Sequence, residues 1–446
     1  MDDNVKVKLE AAYESNNSIK PVKRLDEWLK ECKSRNLIND NYINRDELKN
    51  IIININKDKS IMITGKAGYG KSGVIHGLID YLEKNKYQYL ALKLDKYIPE
   101  YNSLKWSKNL GFNTYLSAIL DKFSLDKKCV LILDQLDSLR WTSMHSRNSL
   151  DICNSIIEEI KNINIGRKNK ISIILVCRTF DFENDASIRK IVEDDINNWL
   201  RIDINILSDK CVKEIIGSDY DRYNAKLKQL LKIPSNLFIF MKIRKDNDLS
   251  EVHSTCDLIS KWWEQIIKEG SINGFSQNEL SSLKEMIVSK MNQIGKISLP
   301  EFLLNNYVNS VNFLLSKSFL IKSDKLISFS HQTLLDYFSV EKMIEKYLNG
   351  ESIESLIGNR NEQLPNKRYQ LQMFLERVHE LDDQKFLECI DTIINNQNIR
   401  IYLKYVAFEV LGTITNMSEL IKQYIINNYL KKDFFDIFIN IVFMNH

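Results

Sequence analysis

The sequence predicts an α/β fold: a P-loop-type, doubly wound parallel sheet, then a helical lid, a winged helix and an α-helical, solenoid-like C-terminal region. Three observations carry this. The β-type run Ser60–Thr64 leads straight into G-x-x-x-x-G-K-S at Gly65–Ser72. Short apolar runs then alternate with helical patterns as far as residue 205. Val130–Leu133 and Ile171–Val176 are almost continuously apolar, as strands are when helices cover both faces.

The Gly-rich loop has the flanks that its chemistry requires. After it, Val74, Leu78 and Leu82 recur at helical spacing. Backbone N–H groups over Gly65, Lys66, Ala67, Gly68, Tyr69, Gly70, Lys71, Ser72 and Gly73 would form a concave anion site at a helix N-terminus. Lys71 would set its ammonium on β- and γ-phosphates, and Ser72 would complete a Mg²⁺ shell. A chance glycine-rich turn is the plain alternative. However, the chain has only 14 glycines, and Gly65, Gly68 and Gly70 fall within six positions.

The remaining strands are expected at Tyr89–Leu94, Cys129–Leu133, Ile171–Val176 and Leu200–Ile204. Asp134 follows the third run at the place from which a carboxylate holds Mg²⁺ through water. Asp137 lies where it could orient or deprotonate an attacking water. Acids at a surface strand end are the ordinary alternative. Arg178, just past the fourth run, could sense a γ-phosphate through its planar fork, or could be an Arg salt-bridged at a strand end. Upstream, Tyr42-Ile-Asn-Arg45-Asp-Glu-Leu reads as an adenine-contacting segment and also as a helix start capped by Asn44. Pro234 opens an apolar helix, where proline is sterically favoured at the first position. It is either an ordinary helix start or a residue packed beside a base. His331 follows a hairpin pattern, and a lone His there is often a packing or capping residue.

Composition bounds the rest. The 446 residues allow two to four domains, and a net charge of +3 gives no bulk sign of a nucleic-acid partner, which the sequence leaves open. Seven scattered cysteines without a C-x-x-C pair point to reduced thiols, neither a disulfide framework nor a zinc site. The N-terminus lacks signal-peptide regions and no apolar run approaches a membrane span, so a cytoplasmic chain without a membrane partner is expected.

Five regions are expected: a helical linker over 1–40, a nucleotide-binding domain over 41–205, a helical lid over 206–270, a winged helix over 271–348 and helical repeats over 349–446. In the lid, helices read at Lys210–Ile216, Tyr223–Leu231, Asn236–Ile243 and Cys256–Lys268. A helical group over 277–317 precedes a hairpin of Phe319–Lys322 and Leu326–Phe329. Ser330 reads as the cap of a helix running from His331 to Leu348. Further helices are expected at Arg368–Glu380, Gln384–Asn395, Ile399–Ile414 and Ser418–Leu430, with a last stretch from Asp433.

The ordered set resembles the STAND class of signal-transduction NTPases, of which NACHT proteins are one branch, and among them bacterial antiviral, Avs-type members. The matching pieces are Ile63–Gly73, Leu133–Asp137, Cys177–Asp181, Ile233–Leu237 and Phe329–Phe338. The resemblance implies ATP/ADP and Mg²⁺ as ligands, slow switch-type hydrolysis, and phosphate-site roles for Lys71, Ser72, Asp134 and Asp137. It places Pro234 near the base and His331 on the β-phosphate of a closed ADP state, with the winged helix as an intramolecular latch. It also implies homo-oligomerisation on activation and a protein ligand or effector partner.

Two departures stand out. Family members usually carry an effector domain before the core, where only some 40 residues stand here, and a long C-terminal sensor, where this sequence stops within helical repeats; its apolar end Phe434–Phe443 also lacks a polar cap. A truncated chain, or one completed by a partner, is therefore expected. The rivals are an AAA+-type ATPase remodelling DNA or protein, a transcription regulator binding DNA through its winged helix, and a scaffold that binds nucleotide without turnover.

Overall fold

The computed structural model describes residues 38, 43, 45–140, 146–245, 249, 252–323, 325–363, 367–414 and 417–428. The expected helix near Val22–Arg35, Asn44, the hairpin residue Asp324 and the segment from Asp433 lie outside these residues. The chain divides into two compact units, Met1–Ile266 and Ile267–His446.

The first unit is built on a five-stranded parallel sheet: β1 (Ser60–Thr64), β2 (Gln88–Lys93), β3 (Cys129–Asp134), β4 (Ile171–Val176) and β5 (Trp199–Asp203). Its strand order is β2-β3-β4-β1-β5. Register is fixed by pairs such as Ile61 with Ile174, Leu131 with Ile173 and Ile63 with Ile202. Every strand expected in this sheet is present, with ends moved by no more than a residue.

Alternation along each strand sorts the core onto two faces. Leu131 and Leu133 of β3 join Leu90, Leu92, Ile173 and Leu175 on one side. There α3 (Ser103–Asn109), α4 (Leu116–Ser124), α5 (Ser146–Ile163) and α7 (Ala186–Glu193) supply Trp106, Leu120, Ile156 and Ile188. Val130 and Ile132 face the other way, with Ile61, Ile63, Ile174 and Val176. That side is covered by α1 (Asp46–Asn56) and α2 (Lys71–Lys84) through Ile51, Ile55, Leu78 and Leu82. The apolar runs of the sequence are continuous because both faces of these strands are dry.

The short helix α6 (Thr179–Asn184) follows β4. After β5 come α8 (Asp209–Ile216), α9 (Ala225–Leu231), α10 (Pro234–Ile243) and α11 (Thr255–Ile272), the last crossing the unit boundary. Ser208 and Asn224 cap α8 and α9 through their side chains. Pro234 takes the first position of α10, as expected.

In the second unit, α12 (Gln277–Ile294) leads to β6 (Leu299–Pro300), α13 (Val308–Ser316), β7 (Leu320–Ser323), β8 (Leu326–Phe329) and α14 (Gln332–Leu348). The strands form an antiparallel sheet in the order β6-β8-β7. Phe319, Phe329 and Phe338 pack together behind it, with centroids 5.6 to 6.0 Å apart. Helices α15 (Ile353–Ile357), α16 (Lys367–Leu381), α17 (Asp383–Asn395), α18 (Ile401–Thr413) and α19 (Glu419–Asn428) follow.

Three local expectations are corrected. The stretch 277–317 is not wholly helical, because Leu299–Pro300 pairs with Leu326–Ile327. Helix α14 has His331 at its N-cap position, without a side-chain cap bond, and starts one residue later than expected, because the Ser330 N–H still bonds to the Phe319 carbonyl in the hairpin (3.0 Å). Helix α1 begins after Arg45, with no side-chain cap. Among the described residues no helix is long and apolar enough to cross a membrane, and the described cysteines are free thiols.

Candidate phosphate site

The strand order brings the chemistry together. Because β4 lies between β1 and β3, the C-terminal ends of all three strands are neighbours. The Gly65–Ser72 loop leaves β1 at this end, Asp134 closes β3, and Arg178 follows β4. In open α/β sheets, ligands bind beside the carboxyl ends of strands.

The loop turns through two left-handed residues, Gly68 (φ 78°) and Gly70 (φ 89°). Both also lie under close neighbours. A Cβ on Gly68 would collide with the Ser235 hydroxyl, and one on Gly70 would sit 3.3 Å from Pro234 Cγ and 3.4 Å from Arg45 Nη1. Glycine is therefore demanded twice over, by dihedral angle and by space. Gly70 caps α2 without a side chain, so the first N–H groups of that helix are left for a ligand.

Lys71 folds back over the loop and donates to the carbonyls of Gly65 (2.7 Å) and Lys66 (3.0 Å). Burial lowers its pKa, opposed first by the charge of Asp137 and then by Asp134, while Arg178 adds to the lowering. Lys71, Asp134, Asp137 and Arg178 thus form one electrostatic cluster. Ser72 lies in the first turn of α2, partly buried.

Asp134 is buried, and desolvation raises its pKa to about 6; Lys93 opposes the rise and Asp95 adds to it. The chain then turns sharply at Gln135, a non-glycine residue at φ 61°, into the 3-10 turn Leu136–Arg140 that carries Asp137. Asp137 is also buried and pairs with Arg178, Nε to Oδ2 at 3.2 Å. The expected base and the expected γ-phosphate sensor are therefore ion-paired to each other.

Sequence reasoning did not single out Lys93 and Asp95, which pair at 3.0 Å beside Asp134. Gln135, with its amide turned to match its neighbours, donates to both Asp95 oxygens (2.7 and 3.0 Å). The available signal was positional. Lys93 ends the edge strand and lies in register with Asp134, but that adjacency is visible only once the strand order is known.

Arg45 has a definite structural task. Its buried guanidinium donates to the carbonyl of Tyr69 in the loop (2.7 Å) and to that of Asn205, just beyond β5. Glu47 Oε1 accepts the Asn205 N–H at 3.2 Å, so both backbone polar groups of Asn205 are held. The side chain expected at the adenine is thus already committed to two backbone carbonyls. On the other side of the loop, the Ser235 N–H at the start of α10 donates to the Gly68 carbonyl (3.2 Å). Leu207 N–H donates to Lys232 O at 2.8 Å, which joins the two anchor points. Four hydrogen bonds and the short backbone stretches 205–207 and 232–235 therefore close a ring from the phosphate loop through Arg45, Asn205, Leu207, Lys232 and Ser235 back to the loop. Pro234 lies over Gly70 within it, whereas His331 belongs to the second unit.

The donor set fits Mg²⁺ as this ion is usually held, by one or two protein oxygens with phosphates and water supplying the rest. Asp134 and Ser72 are the residues that would hold it. Among the described residues no cluster of three or more His, Cys, Asp or Glu could hold a metal unaided.

Sheet and loop together define the P-loop NTPase fold. No family model and no curated protein matches the chain. Solved structures similar to it include a STAND protein with a tetratricopeptide-repeat sensor from Pyrococcus horikoshii, at 11% identity, covering 89% of this chain and 65% of that one, with a TM-score of 0.40. A Walker-type ATPase of Pyrococcus abyssi is 10% identical over 67% of this chain and 96% of its own, with a TM-score of 0.36. AMPPCP-bound DnaA from Aquifex aeolicus is 13% identical over 82% and 92%, with a TM-score of 0.33. At this level of similarity the functional reading rests on the residues of the site.

Two outcomes follow from the geometry. Because Asp134 holds its proton to about pH 6 when folded and loses it near pH 4 when unfolded, the folded state binds more protons between these values. Stability of the nucleotide-free protein should therefore fall as pH rises through that window and level off above it. Asp134→Asn should be more stable than wild type at pH 7, by roughly 1–3 kcal/mol, and converge with it near pH 4 in urea melts. Arg45→Gln would leave two carbonyl acceptors unsatisfied and should cost about 2–4 kcal/mol of stability by the same measurement.

Proposed function

We propose that this protein is an ATP-dependent molecular switch with slow hydrolysis, in which the lid over 206–270 reports the state of the phosphate loop. The observation that carries the reading is the hydrogen-bonded ring. Both anchor points of the lid are bonded, directly or through Arg45, to carbonyls of the loop itself. A loop that rearranges around phosphates must therefore carry the lid with it.

On this reading the main-chain N–H groups at the start of α2 and the Lys71 ammonium bind the β- and γ-phosphates. Lys71 gives up its two carbonyl partners in exchange for stronger, charged ones. Bound Mg²⁺, held through Asp134 and Ser72, supplies charge neutralisation at the phosphates. Arg178 pairs with the incoming γ-phosphate, which frees Asp137 to accept a proton from the attacking water. The products are ADP and inorganic phosphate. In the absence of nucleotide the Asp137–Arg178 pair keeps the base neutralised, which suits a switch better than a constitutive hydrolase.

The resemblance in motif order supports a STAND-type signalling role of this kind, extending to bacterial antiviral defence, an activated homo-oligomer and a protein ligand or effector. It supports reading 271–348 as a winged helix and 349–446 as helical repeats. A ligand drives such a switch to near completion only by favouring one state by about 5.5 kcal/mol.

Lys71→Ala should weaken ATP binding by at least about 30-fold in calorimetry, the loss of a charged hydrogen-bonding group worth about 2 kcal/mol or more. Unchanged affinity would remove the site assignment. Asp137→Asn should keep ATP affinity within about threefold while phosphate release falls by about 100-fold or more. Turnover that survives in this variant would assign the base elsewhere.

A further inference from the structure

The end of the parallel sheet away from the phosphate loop is strongly cationic. Four loops, at 56–60, 83–88, 124–128 and 164–170, feed β1, β2, β3 and β4. Because these strands are parallel and adjacent, the loops share one end of the sheet. They hold nine basic residues against three acidic ones, Asp58, Glu83 and Asp126, a net of +6 in a chain whose total is +3.

The loops are tied to one another. Lys128 joins the third loop to the first through Asp58 Oδ1 (2.8 Å) and the Asn56 carbonyl (2.7 Å). The Tyr87 hydroxyl donates to Asn56 Oδ1, which brings in the second loop. Arg167 donates to Ser124 Oγ at 2.8 Å and pairs with Asp121, which ties in the fourth. The surface is therefore prebuilt. Lys57, Lys84, Lys86, Lys127 and Lys168 are exposed on it and Lys170 is partly so, and none of the six enters an ion pair among the described residues. Like charges held this close repel one another, and a polyanion relieves that repulsion.

We propose that this end of the sheet is a docking surface for the phosphodiester backbone of double-stranded nucleic acid, bound without sequence preference. Four strands at about 4.8 Å spacing present the lysines over roughly 15 Å, wide enough to meet several phosphates. The available charges are ammonium groups, which neutralise phosphates. The guanidinium of Arg167, the one fork in the four loops, is already engaged by Asp121 and Ser124. Contacts to phosphate fix a duplex in place and carry no sequence information, so a surface of ammonium groups holds it without sequence preference. Acidic Asp194 and Asp195, before β5, confine it to one side. The length of a strand, about 17–20 Å, separates it from the phosphate loop, so the two sites are distinct. Leu125 and Ile165 protrude among the lysines, which makes an anionic bilayer the rival ligand.

The test is fluorescence anisotropy of the full chain with a labelled 20-base-pair duplex DNA of arbitrary sequence, between 50 and 200 mM KCl. Micromolar binding is expected, with log K falling against log salt at a slope of about −4 to −5, set by up to six phosphate contacts. Replacing Lys84, Lys86, Lys127 and Lys168 by Gln should weaken binding at least about tenfold at 50 mM KCl and flatten the slope by about 3–4, with ATP binding unchanged. The matching fourfold Lys→Arg protein should bind duplex like wild type, which separates charge from folding. No binding by wild type, undiminished binding by the Gln variant, or loss of binding in the Arg variant would overturn the proposal. So would stronger binding to vesicles of 30% phosphatidylserine in phosphatidylcholine than to duplex.

Discussion

The close approach of backbone to backbone around Gly68 and Gly70 is the constraint on which the functional half of this protein depends. Two left-handed glycines let the phosphate loop pass under Pro234 and beside Arg45, where a Cβ would meet the Ser235 hydroxyl at Gly68 and crowd Pro234 and Arg45 at Gly70. The carbonyls exposed by that path become acceptors for Arg45 and for the Ser235 N–H. One loop geometry thus creates the anion site on its N–H side and a mechanical linkage on its C=O side. Since buried carbonyls are costly to leave unpaired, the linkage gives the loop few conformations that keep every partner.

Charge follows the same economy of position. At the mouth of the sheet, four charged side chains hold one another in check: Lys71 beside Asp137 and Asp134, and Arg178 on Asp137. Burial makes each charge costly alone, which is why Asp134 holds its proton to about pH 6. The opposite end of the sheet is different. There, lysines crowd together with few acids, and solvent bears the charge. A chain that is close to neutral in sum is polarised once its strands are aligned.

How much of this was legible beforehand depended on whether the signal was local. The strands were readable because covered parallel strands are continuous apolar runs, and their ends were found to within a residue. Lys71, Asp134 and Arg178 were readable because each sits at a fixed offset from such a run. The start of α14 was misplaced, since Ser330 has good capping chemistry but is held by a long-range bond to Phe319. The break in the 277–317 helical group was invisible for the same reason: Leu299–Pro300 is a strand only because Leu326–Ile327 lies beside it. Lys93 and Asp95 carry no motif, and Glu47 and Ser235, though inside motif segments, acquire their roles only as neighbours.

The sequence by itself determined the fold class and the phosphate-loop chemistry, because G-x-x-x-x-G-K-S and strand hydrophobicity are properties of contiguous residues. Tertiary structure decided the rest: which carboxylate meets which cation, that Arg45 serves the loop backbone, that the start of α10 is bonded to the loop, and that nine basic residues from four separate loops converge. Those outcomes depend on strand order and parallel alignment, which bring together residues that lie far apart in the chain, and no local pattern encodes such distances.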